Sequence, residues 1–403
     1  MGGYFRNLFE TNNIKKHTYD KLEKKPMKKI LFIITGLGFG GAEKMLINLV
    51  NGFDKEKIVP FVAVLSPKLE MISDLDQKIP IKQFLRKSKY DLSISIELQK
   101  FIIDNEIKTI VAFGFFEFFF IRLATIFMKN ICIYISIHNT KIDKRKERFL
   151  NWCYARMLSG KELFISVCKN QAAFWAKKYR IPKDKFYNIY NGIDTNYFSP
   201  KFSEKEKNLF RKEINLEENC KIILMVASFS NHKNHEDAFK AFEILIMNSP
   251  ELDFKLLLVG TGSEERITQL KVLSEQLNLK NHILFLGAHL DVRPYYEISD
   301  VFTLTSSSVE TFSVAALEAM AMGLPCVLTN IGGASEMIMN GINGYLVEPG
   351  NPYEIYRGWK KTLKNIENMD KNLIINFIKD NFEFKRCLHR YQQLFIFGIK
   401  EVD

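Results

Sequence analysis

Glu310 and Glu318 bracket a stretch, Asp300 to Pro325, that reads as strand, polar loop and helix. In a helix their spacing corresponds to a rise of roughly 12 Å. That is too far for a shared acid/base pair, and close to the span from sugar to ribose in a nucleotide diphosphosugar. Between them the amides of Thr311, Phe312 and Ser313 are expected to head the helix. A helix terminus of this kind holds phosphate through free N–H donors and the positive end of its dipole. An anion site flanked by two hydroxyl-accepting carboxylates suits a sugar nucleotide. A capped helix with one solvated and one half-buried glutamate has the same spacing.

Other candidate groups stand where strands are expected to end. Lys233, in ASFSNHKN, is available as a phosphate counter-charge. Gly260 lies in a Gly-Thr-Gly turn that lets backbone approach a ligand closely. Gly40 and Gly41 close a GxGxxG run, Gly36 to Gly41, between an apolar strand and a helix. A dinucleotide enzyme would also need a carboxylate at the end of the second strand to hold the ribose. That strand runs into Ser66-Pro67-Lys68, so hydride transfer is discounted. His138 ends another apolar run, Ile131 to Ile137, in a position to meet substrate or to be structural. His232 and His235 are three apart without a third ligand nearby, and no metal site is expected.

The elements that must position these groups alternate, strand then helix, twice along the chain. In the first half, strands are expected at Ile30 to Thr35, Ile58 to Leu65, Ile107 to Phe113, Ile131 to Ile137 and Leu163 to Val167. In the second half they are expected at Ile222 to Ala227, Phe254 to Val259, His282 to Leu286, Val301 to Leu304 and Pro325 to Leu328. The fold class is α/β, with two doubly wound domains and a ligand cleft between them. The domains are drawn as an extension over 1–26, a first α/β domain over 27–195, a second over 196–380, and a C-terminal helical segment over 381–403.

With 403 residues, 47% of them hydrophobic, the chain can fill two sizeable cores. No apolar run approaches the length of a membrane helix, and the first thirty residues lack the apolar core of a signal peptide. The six cysteines are scattered without a CxxC pair, so reduced thiols in a cytoplasmic protein are expected. The net charge of +11 admits an anionic substrate or an anionic membrane, or a lysine-rich composition without function; no nucleic-acid partner is expected. Lys144 to Leu158 mixes basic and aromatic residues. It reads either as a helix lying on anionic lipid or as an ordinary surface helix.

Val309-Glu310 through Glu318-Ala319-Met320-Ala321 resembles the E-x7-E signature of retaining nucleotide-sugar glycosyltransferases of the GT-B fold, family 4. Gly40 to Val50, His138-Asn139, Asn191 to Asp194, Lys233-Asn234, Val259 to Gly262, Phe285 to Gly287 and Asn343 to Val347 resemble family blocks in the same order. The resemblance covers about residues 28 to 398. It implies a donor held mainly by the second domain, an acceptor held by the first, no essential metal and no cofactor beyond the donor. By resemblance Glu310 holds a sugar hydroxyl, Glu318 holds the ribose, and His138 contacts the sugar or orients the acceptor. The C-terminal helix would pack back on the first domain. Ser228 stands where the family often has an arginine, and Thr311 where it often has glycine.

The partners implied are a nucleotide diphosphosugar and a glycan acceptor, lipid-linked or soluble, with possible peripheral contact at the inner face of a bacterial membrane. Two other classes stay open. A metal-dependent GT-A enzyme would use Asp74 and Asp76, which have DxD spacing but follow no apolar strand. A non-catalytic sugar-nucleotide-binding relative would keep the same motifs without turnover.

Overall fold

The computed structural model describes residues 27–38, 40–137 and 145–398. His138 and Asn139 lie outside the described residues. Thirteen strands, among the described residues, form two wholly parallel sheets.

The first sheet contains β1 (Lys28–Ile34), β2 (Ile58–Val64), β3 (Ile81–Gln83), β4 (Thr109–Ala112), β5 (Cys132–Ile137), β6 (Leu163–Ser166) and β7 (Phe186–Asn188) in the order β3-β2-β1-β4-β5-β6-β7. Helices α1 (Gly41–Gly52), α2 (Ser93–Asp104), α3 (Phe115–Thr125), α4 (Arg145–Ala155) and α5 (Lys169–Tyr179) connect them. Side chains alternate along a strand, so a strand covered on both sides must be apolar at every position. β1 shows this directly. Ile30, Phe32 and Ile34 pack on the α1 side, while Leu31 and Ile33 pack against α2 and α3.

The second sheet contains β8 (Lys221–Val226), β9 (Phe254–Val259), β10 (Ile283–Gly287), β11 (Val301–Leu304), β12 (Cys326–Thr329) and β13 (Gly344–Val347) in the order β10-β9-β8-β11-β12-β13. Around it lie α6 (Glu204–Glu213), α7 (His235–Met247), α8 (Glu264–Gln276), α9 (Arg293–Ile298), α10 (Val314–Ala321), α11 (Ala334–Met337), α12 (Pro352–Asn365) and α13 (Lys371–Phe382). The chain then re-crosses. Ile193 and Phe384 pair across the crossing, with Ile193 N donating to Phe382 O at 2.8 Å and Phe384 N donating to Ile193 O at 2.9 Å. The last helix, α14 (Phe384–Phe397), buries Cys387, Tyr391, Leu394 and Phe395 in the β1–α1 core.

Three strands had no sequence expectation. β3 and β7 are three-residue edge strands, too short for a periodic signal, and β3 is mostly exposed. β13 begins at Gly344, where a side chain would strike Cys326 O at 1.8 Å. A glycine reads as a loop in sequence, yet here it is what lets the edge strand pack.

Each sheet reverses its winding once, between β1 and β4 in the first and between β8 and β11 in the second. At such a switch point the flanking loops diverge and leave a crevice beyond the strand ends. The candidate site residues collect at these two crevices.

Candidate active site

At the second switch point, the loop after β8 carries Lys233 and the loop after β11 carries Glu310. Their side chains meet at 2.5 Å, both mostly shielded from solvent. The loops are stitched together below the pair. Thr305 Oγ1 donates toward the carbonyls of Lys233 and Asn234 at 3.1 and 2.9 Å, and Ser307 N donates to His232 O at 2.9 Å. Ser306 Oγ adds a 3.2 Å hydrogen bond to Glu310. Gly332 backs the Glu310 loop from behind at φ +57, and a side chain there would strike Glu310 O at 2.2 Å. The position therefore requires glycine twice over, for its backbone conformation and for the close approach.

The helix beyond Glu310 starts later than its spacing implies. Ser313 is the N-cap, and its hydroxyl accepts from Ala316 N at 3.2 Å. The amides of Val314 and Ala315, like those of Phe312 and Ser313, lack a partner among the described residues. Because Glu310 precedes the helix in a loop, the helical estimate of its distance from Glu318 does not apply. Phe312 serves packing, stacked on Tyr190 with ring centroids 5.2 Å apart. Thr311 O accepts from Gly333 N at 2.7 Å.

Glu310, Lys233, Thr311, Phe312 and Ser313 line a cavity of about 580 Å3 between the two domains. Gly41, Ala42 and Glu43 from the start of α1 form its opposite wall. Gly40 is the extended N-cap of α1, with the Glu43 carboxylate folded over it so that a side chain at 40 would meet Glu43 Oε2 at 2.2 Å. Asn191 also lines the cavity; its Nδ2 donates to Phe312 O at 3.3 Å and its Oδ1 is buried without a partner.

The remaining expected residues stand apart from this wall. Glu318 is buried beneath α10, where the Tyr296 hydroxyl donates to it at 2.9 Å. Burial pushes its carboxyl upward, while Lys44, reaching from α1, and Tyr296 act against that shift. Gly260, at φ +150, packs against the neighbouring loop, where a side chain would strike Ala227 O at 1.9 Å. That close approach accounts for the glycine. His235 is buried against the edge of Phe229, and burial pushes its imidazole down to about 3. It is a neutral core residue. Asp74 and Asp76 lie in the turn after β2 and line neither large cavity. Among the described residues no group of three or more His, Cys, Asp or Glu is placed to hold a metal.

One residue at the site escaped sequence reading. Glu117 lies inside the phenylalanine-rich run of α3. It sits in the first turn of α3 at the other switch point, 4% exposed, and accepts a hydrogen bond from Thr35 Oγ1 just beyond β1. Burial pushes its carboxyl up to about 7 against the opposing pull of Thr35 and Arg86. Thr35, Phe113 and Glu117 line the interdomain cavity and also a second one, of about 890 Å3, within the first domain. The only sequence signal was a lone acid in an apolar run, which in a buried helix implies a specific partner or a special role.

A second interdomain contact closes one side of the cleft. The Glu336 carboxylate accepts from the amides of Lys169 and Asn170 at the start of α5, at 2.9 and 3.0 Å, and from the Tyr190 hydroxyl at 2.9 Å. Asn170 Nδ2 donates to Gly332 O at 2.8 Å, tying this contact to the loop that backs Glu310.

Two parallel α/β domains that open at their strand ends onto a shared cleft define the GT-B class of protein. Family models agree: residues 206–380 match the glycosyl transferases group 1 and residues 39–197 match Glycosyltransferase Family 4. The chain belongs to this family of glycosyltransferases. It is 29% identical to N-acetyl-alpha-D-glucosaminyl L-malate synthase of Bacillus anthracis, over 53% of this chain and 54% of that protein, so the match spans about half the relative's length. It is 27% identical to the Escherichia coli UDP-Gal:alpha-D-GlcNAc-diphosphoundecaprenol alpha-1,3-galactosyltransferase, over 72% of this chain and 70% of that one. The fold matches the crystal structure of Anabaena Alr3699/HepE in complex with UDP at a TM-score of 0.79 and 19% identity, covering 91% of this chain and 99% of that one.

Proposed function

We propose that this chain moves a hexose-type sugar from a nucleotide diphosphosugar to a hydroxyl of a lipid-linked glycan, with retention, in the assembly of a bacterial surface polysaccharide or glycoconjugate. The observation that carries the reading is the Lys233–Glu310 pair at 2.5 Å, which lines one cavity together with Val314 and Ala315 at the start of α10. A donor diphosphate placed there would draw Lys233 away from Glu310. The freed carboxylate would accept a hydroxyl of the transferred sugar, as the family resemblance implies.

In the reaction the bond from C1 of the sugar to the phosphate oxygen breaks, and its electron pair stays on the diphosphate. Lys233 and the amides at the start of α10 stabilise that charge. The acceptor oxygen bonds C1 from the same face, and its proton passes to the departing phosphate oxygen. This chemistry needs charge stabilisation more than an acid and a base, which is what the wall provides. Glu318, held by the Tyr296 hydroxyl, would hold the ribose end, as the resemblance implies. The acceptor enters from the first domain. His138 would meet it or the transferred sugar.

Exposed aromatics on the first domain support a lipid-borne acceptor. Phe149 and Trp152 stack with centroids 6.0 Å apart; Arg156 lies 4.4 Å over Trp152, and Lys178 lies 5.0 Å over the half-exposed Phe174. Aromatic rings beside cations favour an anionic membrane surface. Among the described residues no helix is long and apolar enough to cross a membrane. The acceptor in the E. coli relative's name, a diphosphoundecaprenol-linked sugar, is of the same chemical kind.

The test of the reaction is a panel of nucleotide diphosphosugars read by nucleotide release. Release from none of them, with or without acceptor, would leave a non-catalytic binding protein. Membrane contact is read by co-sedimentation with anionic liposomes at rising salt, where binding should fall as screening grows. No binding at low salt would favour a soluble acceptor.

A further inference from the structure

The 890 Å3 cavity of the first domain has two chemically different ends. Its inner end is the wall shared with the interdomain cleft, made by Thr35, Phe113 and Glu117. Thr35 follows β1 and Glu117 follows β4, so this acid stands at the switch point of the first sheet as Glu310 stands at that of the second. Its outer wall carries Arg86 and Lys89, from the loop after β3. Arg86 is held in place: Nε donates to Leu65 O at 2.7 Å, Nη1 donates to Lys89 O at 3.3 Å, and the guanidinium lies 4.8 Å over Phe116. Lys89 Nζ lies 5.9 Å over the same ring. Among the described residues neither cation is ion-paired with a carboxylate. Phe116, Tyr154 and Trp175 also line the cavity.

A helix cap alone would account for a glutamate at the third position of α3, with Gly114 leaving room for its carboxylate. It would not account for near-complete burial on a wall common to two cavities, or for the hydroxyl of Thr35 brought to it from another strand. A neutral ligand would not account for a guanidinium held on this wall by two backbone carbonyls, with an exposed lysine beside it and no ion pair to a carboxylate among the described residues. We propose that this cavity seats the headgroup of the acceptor, a sugar bearing a phosphate or diphosphate, with the attacking hydroxyl hydrogen-bonded to Glu117 and the phosphate held by Arg86 and Lys89. The proposal rests on the transferase reading above and specifies its acceptor. Glu117 aims the oxygen at C1 through the opening beside Thr35; the proton still leaves with the donor diphosphate. The reaction supplying such an acceptor must be one that joins a phosphate to the sugar.

The groups around Glu117 are Thr35 from β1, Arg86 from the loop after β3 and Tyr154 from α4. Burial dominates, so the carboxyl titrates near 7 and the affinity for a hydroxyl aimed at it should change across neutrality. The experiment is calorimetry on the nucleoside diphosphate-saturated protein. The probes are the 1-phosphates of glucose, galactose and N-acetylglucosamine, the matching methyl glycosides, and the matching glycosyl diphosphates on a short isoprenyl chain. At least one phosphorylated sugar should bind tenfold or more tighter than its methyl glycoside. Lys89→Gln should remove threefold or more of that difference, and Arg86→Gln with Lys89→Gln should remove nearly all of it. Tighter binding of the isoprenyl diphosphate would identify a lipid headgroup; equal binding would identify a soluble sugar phosphate. In Glu117→Gln, the part of the pH dependence centred near 7 should vanish, while any part due to the probe's own phosphate remains.

Absence of a phosphate preference in every pair, a preference that survives the double substitution, or an unchanged pH profile in Glu117→Gln would each overturn the proposal. Nucleoside diphosphate binding in the same titrations is the separate control. Its absence, with no nucleotide release, would overturn the transferase reading. Its retention with any of the failures above would overturn this proposal alone.

Discussion

Glu310 and Glu117 are two acids at matching places in the two sheets, with opposite surroundings. Glu310 is paired with Lys233 and Ser306; Glu117 is held by the Thr35 hydroxyl and by the backbone of Thr35 and of its own helix start, with a more distant arginine. Glu310→Gln keeps the shape and removes the charge that balances Lys233. We expect donor binding within a few-fold of wild type and turnover lower on the order of 10²-fold. Single-turnover kinetics with saturating donor will check this, and equal turnover would remove Glu310 from the reaction. Glu117 makes a prediction about stability. The folded protein holds its proton up to about 7, whereas the unfolded chain releases it near 4.5. This contribution is therefore full below the unfolded carboxyl range and is lost as pH rises through about 7. Ionised in place, the group costs the fold about 3 kcal/mol, taken from that shift. Glu117→Gln should be more stable than wild type by up to that amount at pH 8 and about equal at pH 5. Denaturant titration at the two pH values decides it. A destabilised variant at pH 8 would mean that the charge itself is needed by the fold.

At the scale of elements, strand ends and helix starts do the positioning. The loop carrying Glu310 is fixed from below by Thr305 and Ser306, from behind by Gly332, and ahead by the Ser313 cap of α10. Gly332→Ala would place a methyl where the Glu310 and Thr311 carbonyls sit, at a backbone conformation that alanine resists. We expect an outward shift of the loop, turnover lower by tenfold or more, and a loss of about 1–3 kcal/mol in stability. Kinetics beside thermal unfolding separates the two effects. Wild-type turnover would show that the loop tolerates displacement.

The whole molecule is held closed by the crossing at Ile193, by α14, and by the Glu336 clasp on α5. The first two are buried, and α14 shares a core with β1. The clasp is at the surface, made of charge-assisted hydrogen bonds to two amides. It is the contact that can open without unfolding either domain. Glu336→Ala should raise the radius of gyration in the absence of donor and raise the donor KM several-fold, because the wall bearing Glu310 is tied to the same contact through Asn170 and Gly332. Small-angle scattering with and without nucleotide tests this; identical profiles in the two proteins would assign domain closure to α14 and the crossing alone.

Periodicity by itself determined much here. Continuous apolar runs bounded by glycine and polar loops gave both parallel sheets, because a strand buried on two faces has no other pattern to show. Glu310 and Lys233 were legible because each follows such a run, where an open sheet collects its ligands. Tertiary structure alone decided the rest. It joined Lys233 to Glu310, through a strand order in which β8 lies beside β11 although three helices and two strands separate them in the chain. It set the start of α10 at the Ser313 cap, because the cap is fixed by one hydroxyl's geometry and not by composition. It gave Gly260 a packing reason and placed Glu318 beneath its helix. It also made Glu117 a site residue: burial and a threonine many residues away are properties of a packed sheet, and no spacing along the chain records them.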